Sequence, residues 1–389
     1  MFVVRLHRAL SIVSLFAMQD AGLKYKIWLT LVKGVGPLVS KKILSVIGDE
    51  EEIYKASPKA LASIPGVGRV LSSEVQRSKN LLTRAEQELE FAQRNGIDIL
   101  HYKDVRYPSR LLECPDSPTV LYSRGTADYN GSKVVGVVGT RKMTEYGRML
   151  CESIIQNLSV SHPDLMVVSG LAYGVDVCAH RKALECSLPT VGVVGHSLEH
   201  VYPAAHRQVA QQMMASGGAL LSEYVSGTFI DRNFFVARNR IIAGMSDCVL
   251  VVESGEKGGS LLTAEFANSY HRDVFACPGR VGDYYSVGCN KLIRQNKAAL
   301  VTSAEDIDYL MNWDQSTLPS AVQLSLFPEL EGDSLRVAEL LKNGDALQMN
   351  DLARALQLPI HRLSSLLFEL EFAGVVSSLP GNRYKLAGR

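Results

Sequence analysis

The chain has 389 residues, with 41 Lys+Arg against 40 Asp+Glu and a formal charge of +1; 47% of residues are hydrophobic and 21% charged. That length suffices for two to four domains with substantial cores, and the composition excludes a wholly disordered chain. Near-neutrality excludes a protein that holds nucleic acid by bulk charge, and no apolar run is long enough to predict a transmembrane helix.

In chain order, the first 22 residues form an N-terminal extension that sets Arg5, His7 and Arg8 before the apolar run 9–18, a weak likeness to a signal peptide. Against export stand seven cysteines (Cys114, Cys151, Cys178, Cys186, Cys248, Cys277 and Cys289), an odd number without a C-x2-C pair. They suit neither a disulfide framework nor a zinc site, so a reducing, cytoplasmic setting is expected. A physiological start at Met18, with residues 1–17 a translated extension, is the reading that competes with a signal peptide.

Residues 23–80 carry ten basic and five acidic side chains, net +5. They hold "LVKGVGPLVSKKIL" and "ALASIPGVGRVLSSEV", each a hydrophobic residue, a G-V-G and a helix. The pair resembles a tandem helix-hairpin-helix, whose G-x-G turn points N–H groups at a DNA phosphate. That resemblance makes Gly34, Gly36, Lys41, Lys42, Gly66, Gly68 and Arg69 accessory DNA-binding residues. The alternative is a pair kept only for packing or partner contact.

Residues 81–312 alternate Val-rich runs (133–139, 165–170, 190–195, 219–223, 248–254, 273–279) with helical patterns near 146–158, 175–187, 204–216, 235–245 and 260–270. Strands apolar on both faces and joined by helices predict βαβ units, hence an α/β fold on a doubly wound, Rossmann-like parallel sheet. Ligands of such sheets sit at the carboxyl ends of the strands. Gly139 and Thr140 offer backbone N–H groups there, and Arg141 adds a phosphate fork. Ser169 and Gly170 leave the second strand, a third loop runs from Gly195 to Pro203, and Gly258, Gly259 and Ser260 open a helix. Such loops make anion sites where N–H groups and the helix dipole converge; alone, each could equally be a tight turn. Four loops with an arginine point to a phosphate-bearing ligand.

The string "FFVARNRIIAGMSD" contributes Arg238, Asn239 and Arg240. Two uses fit it. Either the arginines grip backbone phosphates with Asn239 at a base edge, or one locks onto a carboxylate such as Glu223 or Glu253. Phe235 and Tyr173 are candidate stacking rings. No P-loop occurs and no G-x-G-x-x-G follows the first strand, so no nucleotide cofactor is expected. Cys178 and His180, two apart on a helix, point to different faces, and His196 and His200 have no third ligand nearby. Neither a catalytic residue nor a metal is therefore expected.

The stretch 313–333 has four acids and no base and reads as an acidic linker; a second boundary falls near residue 80. Residues 334–389 predict a helix over 335–341, a helix "MNDLARALQL" capped by Asn350, a helix over 359–373 and a hairpin about Pro-Gly-Asn. This resembles a winged helix with 359–373 as recognition helix. That helix offers only His361 and Arg362 against Glu369 and Glu371, so DNA contact and protein contact stand level.

Together "VVGTRKMTEYG", "SGLAYGVDVCAH", "ARNRIIAGMSD", "GGSLLTAEFA" and "PGRVGDYYSVGCNKLIRQ", in order across 134–295, resemble the DprA/Smf family of DNA-processing proteins. The resemblance implies a cytosolic, non-enzymatic binder of single-stranded DNA. Such a protein protects incoming strands in natural transformation and loads the RecA recombinase, commonly as a homodimer through the Rossmann-like domain. Residue by residue, the family's pocket maps to Gly139, Thr140, Arg141, Ser169, Gly170, Arg238, Asn239, Gly259 and Ser260. Departures are Ser197 and Glu199 in "GHSLE" where the family reads G-x-G-x-D, Tyr173 where a base is common, and "RQNKAA" for "RQGA". A rival resemblance, looser, links "KGGSLLTAEF" to nucleotide phosphoribohydrolases, with Arg238, Thr263 and Glu265 cutting an N-glycosidic bond. A transcriptional regulator with a nucleotide-sensing sheet is a third reading.

Overall fold

The computed structural model describes residues 22–313, 332–341, 347–372, 375–379 and 382–386. Two units divide between Trp313 and Asp314. The N-terminal extension as far as residue 21, with Met18, and residues 314–331 of the expected linker lie outside the described residues.

Valine at Val134, Val135, Val137 and Val138 places branched side chains on both faces of one extended segment, and all four are buried. Val134 and Val138 enter one core with Ile241, Ile242, Ala264 and Ala267, while Val135 and Val137 enter the other with Ile154, Ile155 and Leu158. Helices therefore cover both faces, as a parallel sheet requires. The strands are β1 (Asp98–His101), β2 (Val120–Gly125), β3 (Val134–Val138), β4 (Met166–Ser169), β5 (Thr190–Val193), β6 (Ala219–Ser222), β7 (Cys248–Val251), β8 (Asp273–Ala276) and β9 (Ala299–Leu300). Their order is β1-β2-β6-β5-β4-β3-β7-β8-β9. β3 through β9 run parallel; β1 and β2, for which the sequence carried no valine run, extend one edge antiparallel onto β6. β3 lies between β4 and β7, so the chain winds away from it in both directions, and the crevice at a switch point opens beside its carboxyl end.

The pattern 235–245 is not one helix. Arg232–Ala237 and Asn239–Met245 meet at Arg238, which sits at the joint between them. The pattern 204–216 likewise opens with a 3-10 turn, Ala204–His206, before the helix Arg207–Ala215.

The first unit also contains the N-terminal helices: 22–31, Pro37–Ile47, Glu50–Lys55, Pro58–Ala62, Gly68–Arg77 and Leu82–Arg94. Trp28, Ile43, Ile53 and Leu61 form their core, and the Trp28 indole donates to Ser78 O at 2.7 Å. They are tied to the sheet by a buried Glu50–His101 hydrogen bond of 2.8 Å. Lys41 Nζ adds hydrogen bonds to Cys114 O, Pro115 O and Ser117 Oγ.

The second unit has helices Asp333–Leu340, Met349–Leu356 and Ile360–Phe372 and a sheet in which β10 (Leu347–Gln348) and β11 (Val376–Leu379) flank β12 (Arg383–Leu386). Asn350 is not the cap of its helix. Leu347 and Gln348 pair with Tyr384 and Arg383, which keeps the chain extended to Gln348, and the helix starts there without a side-chain cap. Arg362 pairs with Asp333 at 3.0 Å, so the recognition-helix candidate spends one of its two basic groups internally. Among the described residues no helix is long and apolar enough to cross a membrane.

Candidate nucleic-acid interface

The loops leaving β3 and β7 frame a cavity of about 580 Å³. Gly139, Thr140 and Arg141 line it together with Gly255, Gly258, Gly259 and Ser260. Asp176, Tyr202, Phe235, Arg238 and Asn239 complete it. Residues more than a hundred positions apart thus share one wall, because β3 and β7 are neighbours in the sheet.

Arg238 is 4% exposed, and its Nε and Nη1 atoms have no hydrogen-bond partner. Nη2 stands 3.8 Å from Asp176 Oδ2, a carboxylate itself buried. Burial disfavours both charges: it pushes the guanidinium pKa down and the Asp176 carboxyl up, with each partner's charge opposing the other's shift. Nε and Nη1 are buried atoms, so what Arg238 presents to the cavity is a desolvated positive charge, offset in part by Asp176.

The helix Gly259–Ser269 opens into the same cavity, and its N-cap, Gly258, provides no side-chain cap. Its first N–H groups and positive dipole end are therefore available to a bound anion. Asn239 Nδ2 donates to Gly259 O at 3.3 Å, joining the arginine segment to this helix start. Arg141 is exposed at the rim. Tyr202, 47% exposed, lies against Phe235 with ring centroids 5.5 Å apart, offering a part-exposed aromatic surface in the same lining as Arg238 and Arg141.

Several sequence-assigned residues sit elsewhere or serve differently. The Thr140 N–H is spent on Glu253 O at 2.8 Å, so it is not available to a ligand. Ser169 is fully buried, its hydroxyl bonded to Val137 O at 2.5 Å, and does not line the cavity. Gly170 contributes space, since the Arg238 guanidinium lies against its α-carbon. Arg240 turns away: it pairs with Glu223 at 2.5 Å and donates to Asp116 O at 2.9 Å. Of the two uses open to the arginine segment, the carboxylate lock is seen at Arg240, and Arg238 also stands beside a carboxylate, Asp176. Glu253 is engaged by Thr144 N at 2.9 Å and Thr144 Oγ1. Ser260 Oγ donates to Ser254 Oγ at 2.9 Å. In the N-terminal helices, Gly34, Gly36, Gly66, Gly68, Lys42 and Arg69 are exposed, with Gly34 at φ +83° and Gly66 at φ +85°, but Lys41 is bound to the sheet domain as described.

Asp176, Tyr202 and Arg232 also line the cavity and were not assigned from the sequence. A lone acid within the apolar string "GVDVCAH" is the signal that could have found Asp176; nothing in the sequence marks the other two. Tyr173 is half-exposed but packs edge-on to His206 and is outside the lining.

Comparison with known proteins covers most of the chain. Residues 98–312 match the family model for DNA recombination-mediator protein A, 326–382 the DprA winged helix domain, and 29–72 the SAM-like helix-hairpin-helix tandem. Protein Smf of Synechocystis is 33% identical over 386 residues, covering 91% of this chain and 96% of that protein. The crystal structure of DNA processing protein A from Streptococcus pneumoniae superposes with TM-score 0.64 at 32% identity, covering 73% of this chain and 96% of that one. The homologous protein of Helicobacter pylori, known for a single-stranded DNA binding mode, gives TM-score 0.50 at 27% identity over 56% of this chain and 96% of that one.

Proposed function

Since this chain belongs to the DprA/Smf family of DNA-processing proteins, we propose that its switch-point cavity binds single-stranded DNA by the phosphodiester backbone. The observation that carries this is the cavity lining, which brings the buried Arg238, the exposed Arg141 and the uncapped helix start at Gly259 together. A phosphate there would take a charge-assisted hydrogen bond, aided by the uncapped helix start at Gly259 and by Arg141 at the rim. Tyr202 and Phe235 supply faces on which unpaired bases stack without regard to sequence. A duplex keeps its bases inside the helix, so this arrangement favours single strands.

Handing the strand to RecA during natural transformation, and acting as a cytoplasmic homodimer, are proposed for this chain on the family resemblance alone. Sedimentation of the purified chain and co-precipitation with RecA test them. The hydrolase reading lacks support, because Glu265 stands outside the cavity lining, with its carboxylate 3.9 Å from Lys297. The deciding experiment is a gel shift with single- and double-stranded oligonucleotides, with AMP incubated in parallel. Preference for single strands, lost in Arg238→Ala, supports the proposal; adenine release lost in Glu265→Ala overturns it.

A further inference from the structure

Arg141 belongs to two cavities. Beyond the switch-point cavity it lines a second groove of about 450 Å³, between the helices Glu145–Ser161 and Val175–Glu185. Lys142, Arg148, Arg181 and Lys182 line that groove too, against Glu152 and Glu185. Among the described residues, the side chains of Arg141, Lys142 and Arg181 have no ion-pair partner. Arg148 and Lys182 have only local pairs, at 3.4 Å to Glu145 and 3.5 Å to Glu185. Pairs three residues apart on a helix add only a few tenths of a kcal/mol and yield readily to a competing anion.

This concentration is out of keeping with its surroundings, since residues 81–312 carry 22 bases and 25 acids. Five cations against two carboxylates leave the groove with an excess of positive charge that a polyanion would neutralise. Arg141 makes the groove continuous with the phosphate-binding cavity.

Resting on the reading of that cavity, we propose that the groove is the next stretch of the same track. A single strand held at Arg238 passes Arg141 and lays its backbone between Arg148 and Arg181. The groove contributes phosphate contacts only, and thus length-dependent, sequence-independent affinity.

The test compares binding of about four and about twenty nucleotides of oligo-dT, within the span of known single-strand site sizes and beyond it. The full chain is used, with Arg181→Glu and Arg148→Glu as separate variants. Both residues are exposed, and thermal melts verify folding. The groove predicts that each variant weakens the long strand about three- to tenfold, leaves the short strand at wild-type affinity, and flattens the salt dependence of the long strand by about 0.7 in log–log slope per lost contact. Equal losses for both lengths, or none, overturn the track. Intact long-strand binding together with lost binding of poly-glutamate would make the groove an acidic-protein surface and likewise overturn it. If the wild type binds neither length, the cavity reading fails first, and that outcome is distinct because it needs no variant.

Discussion

The Arg238 guanidinium fills the space where a side chain at position 170 would stand: a Cβ on Gly170 would lie 1.6 Å from Arg238 Nη1. A glycine on the strand-to-helix loop after β4 thus sets the position of an arginine 68 residues away. Gly170→Ala keeps every charge of the protein yet must displace the guanidinium. Its single-strand affinity is expected to fall by ~1–3 kcal/mol, the worth of a charge-assisted hydrogen bond, as read by fluorescence anisotropy. Unaltered affinity in a folded variant would show that this guanidinium is not the phosphate ligand.

Arg238 and Asp176 neutralise each other in a buried setting, so Arg238→Met leaves a carboxylate without its cation. The loss is expected to approach ~3–5 kcal/mol at neutral pH, measured by denaturant melts. Burial already raises the Asp176 pKa, and a group with a raised folded-state pKa favours the fold when protonated. The variant should therefore regain stability as pH falls. Adding Asp176→Asn should restore stability near neutrality without restoring DNA binding, which separates the structural role of the pair from its binding role.

Arg141 lies exposed at the rim, where the proposed binding mode asks it for a phosphate contact and no base readout. Arg141→Ala is expected to weaken single-strand binding by ~1–3 kcal/mol on every sequence and to reduce the salt slope. Titrations of two unrelated sequences at two salt concentrations check it, and loss confined to one sequence would assign Arg141 to base recognition.

His180 is fully buried; its Nδ1 donates to Thr190 Oγ1, whose own proton goes to Val167 O, and Nε2 has no partner. Burial, with Arg238 nearby, lowers its pKa from 6.5 to about 3. In the folded state the ring stays neutral while the unfolded chain takes up a proton below about 6.5. Stability is therefore lost as pH falls from there toward 3, at up to ~1.4 kcal/mol per pH unit from this group. His180→Gln should show a shallower acid limb in urea melts; an identical limb would mean the ring is already charged in the fold.

The alternation of valine runs with helical patterns was legible because both periods are local. Each strand and helix announces its own buried faces within a few residues. β1 and β2 were not legible, since they are short, antiparallel and held by pairing with β6 at distant positions. The break at Arg238 was equally hidden in an apolar string that reads as one continuous helix.

The candidate site divides along the same line. That the small-residue loops lining the cavity lie after β3 and β7 follows from where glycines and small residues end strands, and the sequence determined that much. It also carried the expectation that any DNA contact comes from local charge rather than from the net +1. Which polar groups remain free was decided only by the tertiary structure. Arg238 and Arg240, two residues apart, part ways because the first finds a distant Asp176 at 3.8 Å and a cavity, while the second finds Glu223 and Asp116. Lys41, Ser169 and the Thr140 N–H were likewise claimed by partners far along the chain. Free valence in a folded protein is what long-range contacts leave over, and no local pattern records it.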